Sequence, residues 1–208
     1  RNPVSSFNYI LTSSGWRQDH NGFSHQNPGF IDDALRRQGE LTTIYFPPDA
    51  NSSLAVMEQA LSSVNGINVI VAGKTLEPRW LTPALARQEL RNGASVWDFA
   101  SDSDPQVVLA AAGDYMVKEA LAAIDLIKQE KPDLRVRFVD IIALNSNGLG
   151  TAGNAVTRGE FEEIFTDDKP VIFNFHGYPE TLKSILFDYS DNTSRFTVKG
   201  YIENGSTT

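Results

Sequence analysis

Short apolar, β-branched runs alternate along the chain with stretches of helical periodicity. The runs predict strands at Phe7–Ser13, Thr43–Phe46, Asn68–Ala72, Val107–Ala112, Leu134–Ile142, Val171–Phe175 and Phe196–Tyr201. The intervening stretches predict helices at Ala50–Val64, Pro83–Arg91, Tyr115–Glu130, Gly159–Phe165 and Pro179–Leu186. Such alternation is the pattern of an α/β chain with largely parallel sheets. Most strands are continuous apolar runs, which suits sheets covered on both faces. Asp49 or Asn51 can cap a helix whose Leu54, Met57 and Leu61 form an i, i+3, i+7 stripe. Thr157 and Glu160 have capping-box spacing, and Pro132 closes the helix carrying Leu121, Ile124 and Ile127.

The 208 residues are 41% hydrophobic and 21% charged, an ordinary globular balance that excludes disorder, collagen and coiled coil as the main state. No run approaches the ~20 apolar residues of a membrane helix. The chain has no Cys, so a disulfide framework, a thiol nucleophile and a zinc ribbon are excluded. The lack of Cys also agrees with a cytoplasmic location. A net charge of −8 argues against nucleic acid as a partner, since phosphate neutralisation needs a basic stripe. The charge is uneven. Residues 1–95 hold eight basic and eight acidic residues, whereas residues 96–208 hold ten and eighteen. An anionic ligand therefore suits the neutral half better. The shift coincides with the acidic, Pro-ended stretch Asp98–Pro105. The reading is a first unit over residues 1–80, a linker over 81–105 and a second unit over 106–208. The first unit is thin, with three strands and a sheet edge that must be covered. We take it as part of a longer sheet with strands upstream.

The densest chemistry is the loop Trp16-Arg17-Gln18-Asp19-His20-Asn21-Gly22-Phe23-Ser24-His25-Gln26-Asn27-Pro28, which follows a predicted strand. Ligands in parallel α/β sheets sit beyond the carboxyl ends of strands, and proton transfer near neutral pH favours His. A solvated loop capping its own backbone is the plainer alternative. Metal binding is disfavoured, because an i, i+5 His pair shares no helix face. Ser24-His25 lacks the G-x-S-x-G elbow of a serine hydrolase. Lys74 follows a strand through Gly73 and can meet a phosphate as a point charge. His176 also follows a strand and can be structural or functional. Gly148-Leu149-Gly150-Thr151-Ala152-Gly153 matches G-x-G-x-x-G, but predicted strand and helix lie too far away, so a flexible surface loop is the expectation.

Several segments together resemble one family. They are Thr12-Ser13-Ser14-Gly15-Trp16-Arg17-Gln18-Asp19-His20-Asn21-Gly22-Phe23-Ser24-His25-Gln26, Tyr45-Phe46-Pro47-Pro48-Asp49-Ala50-Asn51, Val71-Ala72-Gly73-Lys74, Asp168-Lys169-Pro170-Val171-Ile172-Phe173, Phe175-His176-Gly177-Tyr178 and Gly205-Ser206-Thr207-Thr208. The chain is similar over nearly its whole length to the xylulose 5-phosphate/fructose 6-phosphate phosphoketolases. The resemblance implies a thiamine diphosphate- and Mg2+-dependent enzyme with a transketolase-like subunit. Residues 1–80 would be the later part of the pyrimidine-binding domain, a partial parallel sheet. Residues 106–208 would be most of the transketolase C-terminal-like α/β domain. By the same resemblance, His20 and His25 are catalytic, and Gln18, Asn21 and Lys74 bind the sugar phosphate or inorganic phosphate. The Gly-Asp-Gly magnesium motif and the cofactor-activating glutamate are not in this chain, and Gly113-Asp114-Tyr115 does not supply the former. Alone, the chain should be inactive, with the remainder of the polypeptide as its partner and a homodimer or higher oligomer as the assembly. A His common in the family is replaced within Asp191-Asn192-Thr193, and we assign that loop no role. The rival readings are a transketolase-type ketol transferase and a non-catalytic anion-binding or assembly module.

Overall fold

The structure, a computed structural model, describes residues 2–12, 29–36 and 41–202. Two sheets organise it. Three parallel strands, β1 (Phe7–Leu11), β2 (Thr42–Tyr45) and β3 (Ile67–Val71), form one side of the first sheet, with β3 in the middle. Antiparallel β7 (Ala143–Asn145), β8 (Gly148–Thr151) and β9 (Asn154–Ala155) extend it beyond β2. The second sheet runs in the order β11 (Phe196–Lys199), β10 (Val171–Phe175), β5 (Val107–Ala112), β6 (Val136–Ile141) and β4 (Ala94–Val96). It is parallel except for β4. The helices are α1 (Gly29–Arg36), α2 (Ala50–Ser62), α3 (Pro83–Asn92), α4 (Asp114–Glu130), α5 (Arg158–Phe165) and α6 (Pro179–Leu186).

The α/β expectation holds, and β5, β10 and α6 match their predicted limits. Caps fall where their chemistry puts them. Asp49 Oδ1 accepts from Ser52 N at 2.7 Å, and Thr157 and Glu160 form a capping box. Four details differ. The predicted strand Leu134–Ile142 ends as β6 at Ile141, and the chain passes through Ile142 directly into β7 of the other sheet. One apolar run thus serves two sheets and covers the β2 edge. Residues 81–105 carry the expected helix as α3 and, in addition, the unexpected strand β4, and they bury Leu90, Ala94 and Trp97. The glycines of 148–153, expected in a flexible surface loop, lie mostly within the β8–β9 hairpin, where Leu149 is fully buried. Gly148 has φ +147°, and a Cβ there would strike Tyr189 Oη, which itself accepts from Leu149 N at 3.0 Å.

The fourth difference concerns α2. Leu54 and Leu61 face outward, while Ala55, Val56 and Ala60 face the protein. Small side chains let a helix approach its neighbours closely, so packing distance outweighed apolar size here. The core between the sheets contains fully buried Phe46, Phe161, Phe165, Phe173 and Phe175. Each such side chain stabilises the fold by roughly 1.5–3 kcal/mol.

A buried polar cluster lies between α3 and the second sheet. Trp97 Nε1 donates to Glu89 Oε1 at 2.7 Å. While both carboxyls are ionised, the other Glu89 oxygen meets no N–H or O–H donor and the Asp140 carboxyl has only the Ile141 backbone N–H beside it. Burial pushes Glu89 up to about 7, against hydrogen bonds from Trp97 and Asp140 that favour its ionised form. Burial and the neighbouring Glu89 push Asp140 well above the carboxylate range. A proton retained on Asp140 and donated to Glu89 satisfies both groups.

Candidate active-site edge

β1, β2 and β3 run in one direction, so their carboxyl ends share an edge. Leu11 pairs with Val71, and Tyr45 with Ile70. The chain leaves β1 through Thr12 there. It leaves β2 through Phe46, Pro47, Pro48 and Asp49, all buried, and β3 through Ala72 and Gly73 to exposed Lys74. Ala72 N donates to Leu11 O at 2.9 Å, which ties two of these exits together.

The carboxyl ends of the second sheet meet this edge. Phe175 at the end of β10 packs against Phe46 with ring centroids 5.7 Å apart, and His176 lies 6.2 Å from the same ring. Asp114 opens α4 just after β5 and is buried against Gly73, where an added Cβ would come within 2.8 Å of its Oδ2. Burial lowers His176 to about 4, so its imidazole is neutral at physiological pH.

Of the predicted site residues, the structure positions Lys74 at this edge. Gln18, His20, Asn21 and His25 lie outside the described residues. Among the described residues no group of three His, Asp or Glu side chains can hold a metal ion. Asp114 Oδ1 instead accepts from Tyr115 N at 2.7 Å. What the described residues offer therefore does not fit a magnesium diphosphate. No described helix is long and apolar enough to cross a membrane. Sequence reasoning missed Asp114, Glu77 and Lys118 at this edge, because nothing local links Gly73–Glu77 to α4. A separate cavity of about 740 Å³ lies between α3, β4 and α5. Its lining carries Asp98, Glu160 and Glu163 with Arg91 beside them, an excess of negative charge that disfavours phosphate.

Two sheets, each with a run of parallel strands whose carboxyl ends meet, define a transketolase-type α/β architecture. The chain superposes on transketolase from Leishmania mexicana with TM-score 0.66 and 21% identity, over 95% of this chain and 26% of that one. A Pichia stipitis transketolase gives TM-score 0.69 at 14% identity, over 97% and 26%. A split-gene transketolase, solved as an inactive β4 tetramer, gives 0.59 at 18% identity over 95% and 57%. At these identities the likeness is one of fold. Residues 74–208 match the XFP C-terminal domain, and residues 1–63 match D-xylulose 5-phosphate/D-fructose 6-phosphate phosphoketolase. The chain belongs to this phosphoketolase family. A probable phosphoketolase of Brucella abortus is 45% identical over 214 residues, and probable phosphoketolase 2 of a Nostoc species is 45% identical over 212. Each match covers 100% of this chain, which spans 27% of the relatives' length.

Proposed function

We propose that the complete protein is a phosphoketolase. It would cleave xylulose 5-phosphate or fructose 6-phosphate with inorganic phosphate to acetyl phosphate, an aldose phosphate and water. Thiamine diphosphate with Mg2+, held by residues outside this chain, would supply the carbanion stabilisation. The observation that carries the reading is the shared carboxyl edge of β1, β2 and β3, where the described chain leaves β1 through Thr12 and where Lys74 stands. His20 and His25 are assigned proton transfer, and Gln18, Asn21 and Lys74 are assigned the sugar phosphate and inorganic phosphate. Residues 1–80 and 106–208 are kept as the two functional units, joined through 81–105.

The chain's other partner is the remainder of its own polypeptide, within a homodimer or higher oligomer. Exposed Phe7, Tyr9 and Ile10 on β1, and Leu54 and Leu61 on α2, support burial against further protein. The inactive split-gene transketolase supports an inactive isolated chain. Calorimetry of the isolated chain with thiamine diphosphate and Mg2+ should give no micromolar binding, and such binding would overturn that part. The location assigned is cytoplasmic, supported by the lack of Cys.

The deciding experiment is Lys74→Ala in the complete enzyme, assayed for acetyl phosphate. Loss of one charge-assisted contact, about 1.5–3 kcal/mol, should weaken use of both phosphates by roughly 10- to 150-fold. Unchanged kinetics with both would make Lys74 an ordinary surface residue. Ketol transfer without acetyl phosphate would favour the transketolase alternative.

A further inference from the structure

We infer that Glu77, through its ion pair with Lys118, is a positioning residue for Lys74. This rests on the phosphate-binding role proposed for Lys74. Lys74 lies in an irregular segment between β3 and α3, and its side chain is exposed. Its neighbours are fixed from several directions. Upstream, Ala72 N is bonded to Leu11 O. Downstream, Ala50 N donates to Pro78 O at 3.0 Å, and Leu81 N donates to Asp49 Oδ2 at 2.9 Å. Between these anchors stands Glu77. Its Oε1 accepts from Thr75 Oγ1 at 3.0 Å, and its carboxylate pairs with Lys118 Nζ on α4.

The Glu77 side chain is only 10% exposed and that of Lys118 25%. Most surface ion pairs contribute little because water screens them and both side chains lose freedom. This one is largely shielded, and Lys118 also lies 5.6 Å over the Tyr115 ring. Gly73 completes the joint, since its missing Cβ leaves room for Asp114 Oδ2 and Glu77 Oε1. The turn that carries Lys74 is therefore seated on α4 of the second unit. Without that seat the Lys74 backbone is held only from the first unit, and its ammonium must be ordered anew at each binding event.

The test uses the complete enzyme with Glu77→Gln, Lys118→Met, Lys118→Arg and Lys74→Ala, and the double variant Glu77→Gln/Lys74→Ala. KM and kcat are measured for sugar phosphate and inorganic phosphate, with melting curves alongside. Glu77→Gln and Lys118→Met should each raise KM for both phosphates on the order of tenfold, with kcat held within about twofold. Lys118→Arg should stay near wild type, because a guanidinium can reach the same carboxylate. In the Lys74→Ala background, Glu77→Gln should add no further loss, since it acts through the missing ammonium. Full additivity would overturn the inference, as would unchanged KM in Glu77→Gln while Lys74→Ala is impaired. If Glu77→Gln does not fold, Lys118→Met cuts the same pair from the other side. A silent Lys74→Ala refutes the phosphate role itself, and the positioning role falls with it.

Discussion

Replacing Glu89 with Gln should raise stability at alkaline pH and leave it nearly unchanged in acid. Glu89 is buried, accepts from Trp97 and faces Asp140. Its carboxyl is raised from 4.5 to about 7 in the folded protein. Because the folded value exceeds the unfolded one, the stability contributed by the protonated group is complete below pH 4.5. It is lost as pH rises to about 7. The difference between the two values corresponds to roughly 3 kcal/mol at pH 8. Glutamine keeps an oxygen for the Trp97 N–H and adds a permanent N–H donor toward Asp140. The variant should therefore gain about 2–3 kcal/mol at pH 8 and little at pH 5. Urea unfolding followed by Trp emission, run on wild type and variant side by side from pH 5 to 8, measures this difference. His176 acts in the opposite sense. Lowered to about 4, it costs stability as pH falls from 6.5, and it cancels in the comparison. Parallel stability curves across the range would refute the raised Glu89 carboxyl, and so would a variant less stable at pH 8.

Three further outcomes can be checked. In the complete enzyme, His25→Ala should cut turnover by roughly 10²–10⁴ and leave the melting curve nearly unchanged, whereas a large melting loss with normal turnover would make His25 structural. His25→Asn should not rescue turnover, because an amide cannot shuttle protons near neutral pH. Gly148→Ala should destabilise by about 3 kcal/mol or more, since the new Cβ meets Tyr189 Oη at a positive φ; urea unfolding would read the loss.

Elements whose apolar run and partner strands agree were legible in the chain itself. Val107–Ala112 and Val171–Phe175 are examples, central strands covered on both faces. The brief strands β4, β7, β8 and β9 were not legible. They hold two to four residues each, several of them Gly or Asn, and are strands only because distant partners pair with them. The orientation of α2 was misread because its Leu residues outweigh its Ala residues on any hydropathy scale, while the packing selects the small ones. Asp140 carried a signal that went unused, as a lone carboxyl inside an apolar strand needs either a partner or a proton. At the candidate site, Lys74 could be found from its place after a strand. The Glu77–Lys118 pair could not, since only the docking of two units brings those positions together.

The passage from β6 straight into β7 also bears on synthesis. Thr43 leaves the ribosome well before Ala152, yet its hydroxyl receives its hydrogen bond from Ala152 N, 109 positions later. The open side of β2 therefore stays bare while those residues are made, several seconds or more at about 5–20 residues per second. Contacts that span so much chain also form slowly, because loop closure comes before any gain from pairing. A nascent chain stalled before Ala143 would present an apolar strand edge to any neighbour. Chaperone dependence and aggregation of truncated products should accordingly rise for stops before β7 and fall once the β7–β9 segment has emerged.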